Sequence, residues 1–586
     1  MRIERHQVSG SAVAAAREDF TNRIGRQVRS MSRAGRMTTW EWTELSGEFL
    51  DYLGALSLAS PRLDTPEAKA VLHDAAEAAA GAVAYAAYYP HNGFSVFLDY
   101  VNFGMSYDAG EDGDPESVSA GTWLDAFCLT VLDDRAQWHG EAFHFAREIP
   151  QTGRAGRPDA ELINGFMAYV IGDTGDDDAG CPPSQQERCA ALDAALARIG
   201  TLDDEAPEDL LDAPGTTALH ALRALATDDR AAFEAALAKL LAGHSALTGT
   251  GLRPRTLLPL VPLTLAALAH RGKGWPPAVD SDYLPRALVT GFETAGPRVQ
   301  AYGRARRPDA VAELAAGTVV FERPENPHPI ALESEALFEE HTREAFTPVA
   351  GKPPATWQLA FAMDDQELLF KARASLAPDV TERHARGLRL ASQMGAALFR
   401  TALADPGTTV DVRINGATVT YAAYRGEDAG PGRWHKAVNL ALVTGVREDL
   451  APLVIAGPAS LAEDGSAFAS YRRALLDYLR GADPEPATDQ ALHDFVKAKG
   501  WGFFPPPVTL FSQLVEGDEE SFNLALLDAL EEHRDHYLVA DRASDADAAL
   551  SLDILALACH ARRRGWTVRV ASPYLPPRIL SAATPL

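Results

Sequence analysis

Four cysteines, Cys128, Cys181, Cys189 and Cys559, are all that 586 residues contain. They are too few for a disulfide framework, and they show neither a CxxC nor a paired His/Cys spacing that would hold a metal. Disulfide-stapled secreted scaffolds are excluded, no metal or other cofactor is expected, and a reducing cytoplasm is the simplest setting. Positive charge is also short, with 54 Lys and Arg against 81 Asp and Glu, a formal charge of −27. Nucleic acid and anionic membrane surfaces would be repelled over most of such a surface, whereas a basic partner would be attracted. Long apolar runs are missing as well. The most hydrophobic stretch, "TLLPLVPLTLAALA" at 256–269, is too short and too broken by proline to span a bilayer. The opening "MRIERHQVSGSAVAAARED" carries charge where a secretory signal would carry its apolar segment, so a soluble chain retained in the cell is expected.

Catalytic signatures are equally scarce. GxSxG, HExxH and GxxxxGKS do not occur, and "GTG" at Gly249 lacks the third glycine of a dinucleotide fingerprint. "HRDHY", His533 to Tyr537, looks superficially like a kinase catalytic loop but has no Gly-rich strand or DFG in order. No catalytic residue is assigned, and an enzyme would have to rest on buried carboxylates or on the recurrent histidines His244 and His533.

What the chain does contain is a duplication. "GWPPAVDSDYLP" at Gly274 returns as "GWTVRVASPYLP" at Gly565, an offset of 565 − 274 = 291. "GTWLDAFCLTVL" around Trp123 matches "GRWHKAVNLALV" around Trp434 at 434 − 123 = 311. "LATDDRAAFEAALAKLLAGH" from Leu225 matches "LVEGDEESFNLALLDALEEH" from Leu514 at 514 − 225 = 289, and "ERHQV" at Glu4 resembles "ERPEN" at Glu322 at 322 − 4 = 318. One order through both halves reads as two copies, residues 1–300 and 318–586, joined by a basic linker, 301–317. Because the offset falls by 311 − 289 = 22, the first copy carries 22 extra residues, assigned to the Gly, Asp and Pro-rich acidic loop near 172–186.

Local patterns make each copy mainly α, a bundle of helical hairpins with one small β-hairpin. Phe233, Leu237, Leu240, Leu241 and His244 lie on one helical face, as do Phe522, Leu526, Ala529, Leu530 and His533, with Asp229 and Asp518 placed to cap. "TTVDVRINGATVTYAAY" at 408–424 alternates around Asn415-Gly416, a two-residue turn suited to positive φ. "FSVFLDYVNFGMSY" at 94–107 is its counterpart. The repeated SxYLP reads as a closing clamp: Gly274-Trp275 and Gly565-Trp566 end a helix and fold an indole back on it, Tyr283 and Tyr574 are delivered inward, and Pro285 and Pro576 start a last helix.

Among residues able to carry function, His244 and His533 recur at equivalent places but have no second ligand at metal spacing, so their reading is structural. Three acidic clusters combine carboxylates with turn residues and should be exposed. They offer Asp108, Glu111, Asp112 and Asp114; Asp173, Asp176, Asp177 and Asp178; and Glu427 and Asp428. Carboxylates on loops of a rigid helical body can neutralise Lys and Arg of a cationic protein and speed its encounter.

The second copy, through "MGAALFRTALADPGTTVDVRINGATVTY", "GRWHKAVNLALV", "GDEESFNLALLDALEEHRDHYL" and "SPYLPPRIL", resembles the immunity protein 49 family of bacterial polymorphic toxin systems over most of 378–586. The first copy, with "GTWLDAF", "DDRAAFEAALAKLLAGH" and "SDYLPRAL", is similar to a more divergent member. The resemblance implies a mostly helical, non-enzymatic cytoplasmic protein that binds a cognate toxin, with no catalytic or metal residues. The charge adds the expectation of a basic toxin, such as a nuclease, as the partner. A helical-repeat scaffold without a toxin-specific role is the alternative.

Overall fold

A computed structural model describes residues 2–585 other than 111–112, 148–154, 177–179, 181, 200, 202–206, 293–296, 326–331, 349–353, 462–466 and 499–503. The chain is mainly α: strands among the described residues are limited to two antiparallel hairpins and one two-residue parallel pair. It divides into two compact units, one holding the described residues up to 292 and the other those from 297 on. Among the described residues no helix is long and apolar enough to cross a membrane.

Each unit is organised around one long helical hairpin. In the first, Thr39–Ala59 begins at a capping box, Thr38 exchanging hydrogen bonds with Glu41, and Pro66–Tyr88 begins with Thr65 accepting from the Ala68 amide. Ala75, Ala76, Ala78, Ala79, Ala80 and Ala82 are all buried, and such small side chains let Pro66–Tyr88 lie close to its neighbours. The second unit repeats the hairpin with Thr356–Ser375 and Glu382–Ala402.

Both expected β-hairpins are present. Thr409–Ile414 pairs with Ala417–Ala422 across Asn415 and Gly416, whose φ values of 51° and 81° are those a two-residue turn requires. Phe94–Leu98 pairs with Phe103–Tyr107 across a four-residue connection in which Asn102 takes the positive φ. Tyr107 and Tyr421 anchor the hairpins by donating their hydroxyls to the Met37 and Ala345 carbonyls, at 2.7 and 2.6 Å.

The duplication recurs in fine detail. Trp123 and Trp434 are fully buried and donate their indole N–H to the Phe143 and Leu453 carbonyls. Arg271 hydrogen-bonds the Val131 and Leu132 carbonyls, and Arg563 those of Leu442 and Val443, each guanidinium satisfying the open end of a helix. Asp229 accepts from the Ala232 amide and Asp518 from the Ser521 amide, as capping residues do.

The closing clamp has the geometry read from its motif. Gly274 and Gly565 take φ of 67° and 88°, and the indoles of Trp275 and Trp566 return to Phe233 and Phe522 at ring separations of 6.1 and 5.6 Å. Pro285 and Pro576 stand immediately before Arg286–Thr290 and Pro577–Ala582. A partner strand emerges that the motif alone does not show: the start of each copy lies parallel to the segment before SxYLP. The Ile3 amide donates to the Asp280 carbonyl and the Phe321 amide to the Ala571 carbonyl, the latter within the pair Val319–Val320 and Val570–Ala571.

Two expectations change. The 22 extra residues are spread out rather than confined to one loop. The acidic connection before Gln185–Ile199 has 13 residues, 172–184, against five, 480–484, before Glu485–Ala498, and the rest falls in neighbouring helices and turns. Residues 301–317 are not a bare linker either, because they include helix Pro308–Ala316 and sit among second-unit contacts. Arg298 binds Asp528 and Glu531, and Arg306 binds Asp518 and Glu520, so positive charges here are spent on the acidic helix Glu519–Tyr537.

Candidate partner-binding surface

After each hairpin the chain enters an acidic loop and then the helix bearing the buried Trp123 or Trp434. In the first unit this loop is fastened to the start of Thr39–Ala59: Glu116 accepts from the Thr39 amide at 3.2 Å and its hydroxyl at 2.5 Å. The neighbouring residue is Trp40, 61% exposed although it is a large apolar side chain. Asp108 and Asp114 on the same loop are exposed, while Glu111 and Asp112 lie outside the described residues.

The second unit builds the same arrangement with different bonds. Thr356 donates to the Ala422 carbonyl at the end of the hairpin, and Trp357, at 357 − 40 = 317 from Trp40, is 49% exposed. Trp357 meets the edge of Phe361, itself 50% exposed, and the Arg433 guanidinium lies 5.1 Å from the Phe361 ring. Arg433 is gripped from both sides, by Asp428 of the acidic loop at 2.6 Å and by Asp364 at 3.2 Å, while Glu427 remains exposed. Each copy therefore places an exposed tryptophan beside a carboxylate-bearing loop, two kinds of side chain that interfaces favour for anchoring and steering. Sequence reasoning found the loops and missed both tryptophans, whose only signal is their equivalent position at a helix start.

Two carboxylates of those clusters are bound by cations. Asp173 accepts from His144 at 2.6 Å and from Arg147, and the Gly175 amide donates to it. Burial would raise its pKa, but His144 and Arg147 outweigh burial and hold the carboxyl below its ordinary range. Asp428 is likewise committed, to Arg433 and the Tyr424 hydroxyl. The expectation of exposed charge is thus corrected for these two, because cations from adjoining helices fold over them. Asp176 is exposed, and Asp177 and Asp178 lie outside the described residues.

The paired histidines serve the clamp. The edges of His244 and His533 meet Tyr283 and Tyr574 at the same ring separation, 5.1 Å. His244 is half-buried and bonds the Thr256 carbonyl, and His6 beside it bonds the Tyr283 hydroxyl and the Thr256 hydroxyl. This set closes on itself and ties the start of the first copy to its end. His533 is fully buried, and neither ring nitrogen has a well-formed hydrogen bond.

Beneath each clamp buried charge fixes the segment that follows the histidine helix, through different pairs in the two copies. Asp51, 2% exposed, receives Arg253 and Arg255, and Gly54 admits the backbone there, since a Cβ would lie 2.1 Å from the Pro254 carbonyl oxygen. In the second unit Lys371 and Glu367 are both buried: Lys371 pairs with Asp547 and Glu367, and Lys436 also reaches Glu367. Burial would raise the Glu367 pKa, but the two ammonium groups hold it low.

A sequence model of the family described as immunity protein 49 matches residues 62–288 and again residues 377–579. No curated protein and no solved structure matches the chain.

Proposed function

The chain belongs to the immunity protein 49 family, and from that premise we propose that it neutralises a cognate toxin of a bacterial polymorphic toxin system by binding it, without chemistry of its own. The observation that carries the reading is the recurrence, in both copies, of an exposed tryptophan, just ahead of the family-matched residues, beside an acidic loop. Trp40 with Asp108 and Asp114, and Trp357 with Glu427, form the contact faces of this reading. Tryptophan supplies large, rigid contact area, and loop carboxylates attract Lys and Arg while excluding like-charged competitors.

The partner is a basic toxin, with a nuclease as the leading class. A nucleic-acid groove is lined with cations, and exposed carboxylates on a body of charge −27 compete for them as phosphates would. The encounter takes place in the cytoplasm of the producing cell, where such a toxin would act.

The test is retention of proteins from the source cell by the purified full-length chain, at low and at high salt, together with growth of cells expressing the captured protein. Capture of one cationic protein, released by salt and harmless when the chain is co-expressed, is the expected result. Capture of many unrelated proteins with no protection would replace this reading with that of a helical scaffold.

A further inference from the structure

Helix Pro66–Tyr88 carries His73 and Glu77 one turn apart, on one face. Against that face come the end of Ala120–Leu132, whose C-cap is Asp133, and the start of Gly140–Ala146, whose N-cap is His139. His73 Nδ1 lies 2.8 Å from Asp133 Oδ2, and His139 Nε2 lies 3.2 Å from Glu77 Oε1. Ligand atoms of His73, Glu77 and Asp133 all fall within 4.8 Å of one another, the one such gathering among the described residues. Donors around a tetrahedral ion at about 2.0–2.2 Å stand about 3.3–3.6 Å apart, so small side-chain rotations close this group on an ion. The four side chains are 10–22% exposed, sheltered yet reachable.

The second copy shows that the fold does not require this group. Counted from the cap threonines, 381 − 65 = 316, His73 and Glu77 fall on Arg389 and Gln393. At the 311 offset Asp133 falls on Thr444, and the N-cap position of His139 is held by Val446. Arg389 pairs with Glu382, and Gln393 accepts from the Asn415 amide, so the equivalent helices pack with none of the four residues.

We infer that His73, Glu77 and Asp133 form a binding site for a divalent transition metal of the zinc class, with His139 beside them holding Glu77. One imidazole and two carboxylates, with a fourth position left for water, suit Zn²⁺ and Co²⁺, whereas Ca²⁺ and Mg²⁺ call for oxygen ligands alone. The two carboxylates balance the charge of the ion. An ion here joins Pro66–Tyr88 to the end of Ala120–Leu132, and the His139 bond to Glu77 brings in the start of Gly140–Ala146, next to Trp138, 72% exposed.

The experiment titrates the EDTA-treated full-length chain with Zn²⁺ by calorimetry and with Co²⁺ by visible absorption. One equivalent should bind, with tetrahedral Co²⁺ bands and a higher melting temperature with Zn²⁺. His73→Gln and Glu77→Gln should each weaken binding by about tenfold or more, while His144→Gln, in a separate pair with Asp173, should not. Absence of saturable binding to the unaltered chain overturns the assignment without reference to any variant. Binding that survives both substitutions, or Mg²⁺ or Ca²⁺ binding as tightly as Zn²⁺, overturns it equally.

Discussion

His533 lies 1% exposed, between the rings of Phe504, Tyr537 and Tyr574. Burial, with His536, Lys371 and Arg323 nearby, pushes its pKa down to about 3. His536, through burial and Arg542, also falls to about 3, and His560, through burial and two arginines, to about 4. A histidine that stays neutral in the fold but titrates near 6.5 when unfolded leaves stability untouched above about pH 6.5; below that the unfolded state gains the proton first, and stability falls by about 1.4 kcal/mol per pH unit for each such group until its folded value is reached. The second unit should therefore be the acid-sensitive half of the molecule. His533→Phe, which keeps a ring in the apolar site, should equal the parent near neutrality and exceed it by about 2 kcal/mol near pH 5. Urea midpoints of both proteins at the two pH values decide it, and equal losses on acidification would remove His533 as a source.

At the scale of elements, Tyr574 and Trp566 divide the work of the clamp unevenly. Tyr574 is 2% exposed, packed on His533 and reached by Arg323, so Tyr574→Ala should lower the stability of the second unit by about 3–5 kcal/mol. Trp566 is half-buried on Phe522 and should cost about 1–2 kcal/mol on truncation, because it loses less buried area. Thermal melts that rank the two in the opposite order would refute the inward role given to the tyrosine. Glycine, proline and aromatic spacing made this clamp legible in the sequence, as Asn415-Gly416 made the hairpin and Asp229 and Asp518 the helix starts, since all are local backbone requirements. The buried charges beneath the clamp were not legible, because Asp51 meets Arg253 and Arg255, and Lys371 meets Asp547, from far along the chain and not at matching positions of the two copies. Nor was the convergence of His73, Glu77, Asp133 and His139, which needs three helices brought together; the four-residue spacing of His73 and Glu77 was its one local trace. The loops were read as a single class of exposed charge, yet Asp173 and Asp428 are bound by cations that only the tertiary fold supplies.

For the molecule as a whole, the charge of −27 and the repetition of one face make separable claims about binding. Charge governs the encounter: raising salt shortens the reach of exposed carboxylates, to about 8 Å at physiological ionic strength, and should slow association far more than it speeds dissociation. The tryptophans govern the lifetime of the complex, since truncating a central aromatic anchor acts mainly on dissociation and costs about 2 kcal/mol or more. Trp40→Ala and Trp357→Ala, measured singly and together against the captured toxin by surface kinetics, resolve the role of the duplication. If both copies hold one toxin molecule, each substitution should speed dissociation severalfold and the double variant should lose nearly all binding. If each copy binds its own toxin molecule, each single substitution should halve the stoichiometry and leave the remaining affinity intact. Should neither change dissociation, the tryptophan faces are not the contact, even if the salt response survives. The two exposed aromatics stand at equivalent helix starts, each next to its own acidic loop, so this pair of substitutions tests both copies at the same place.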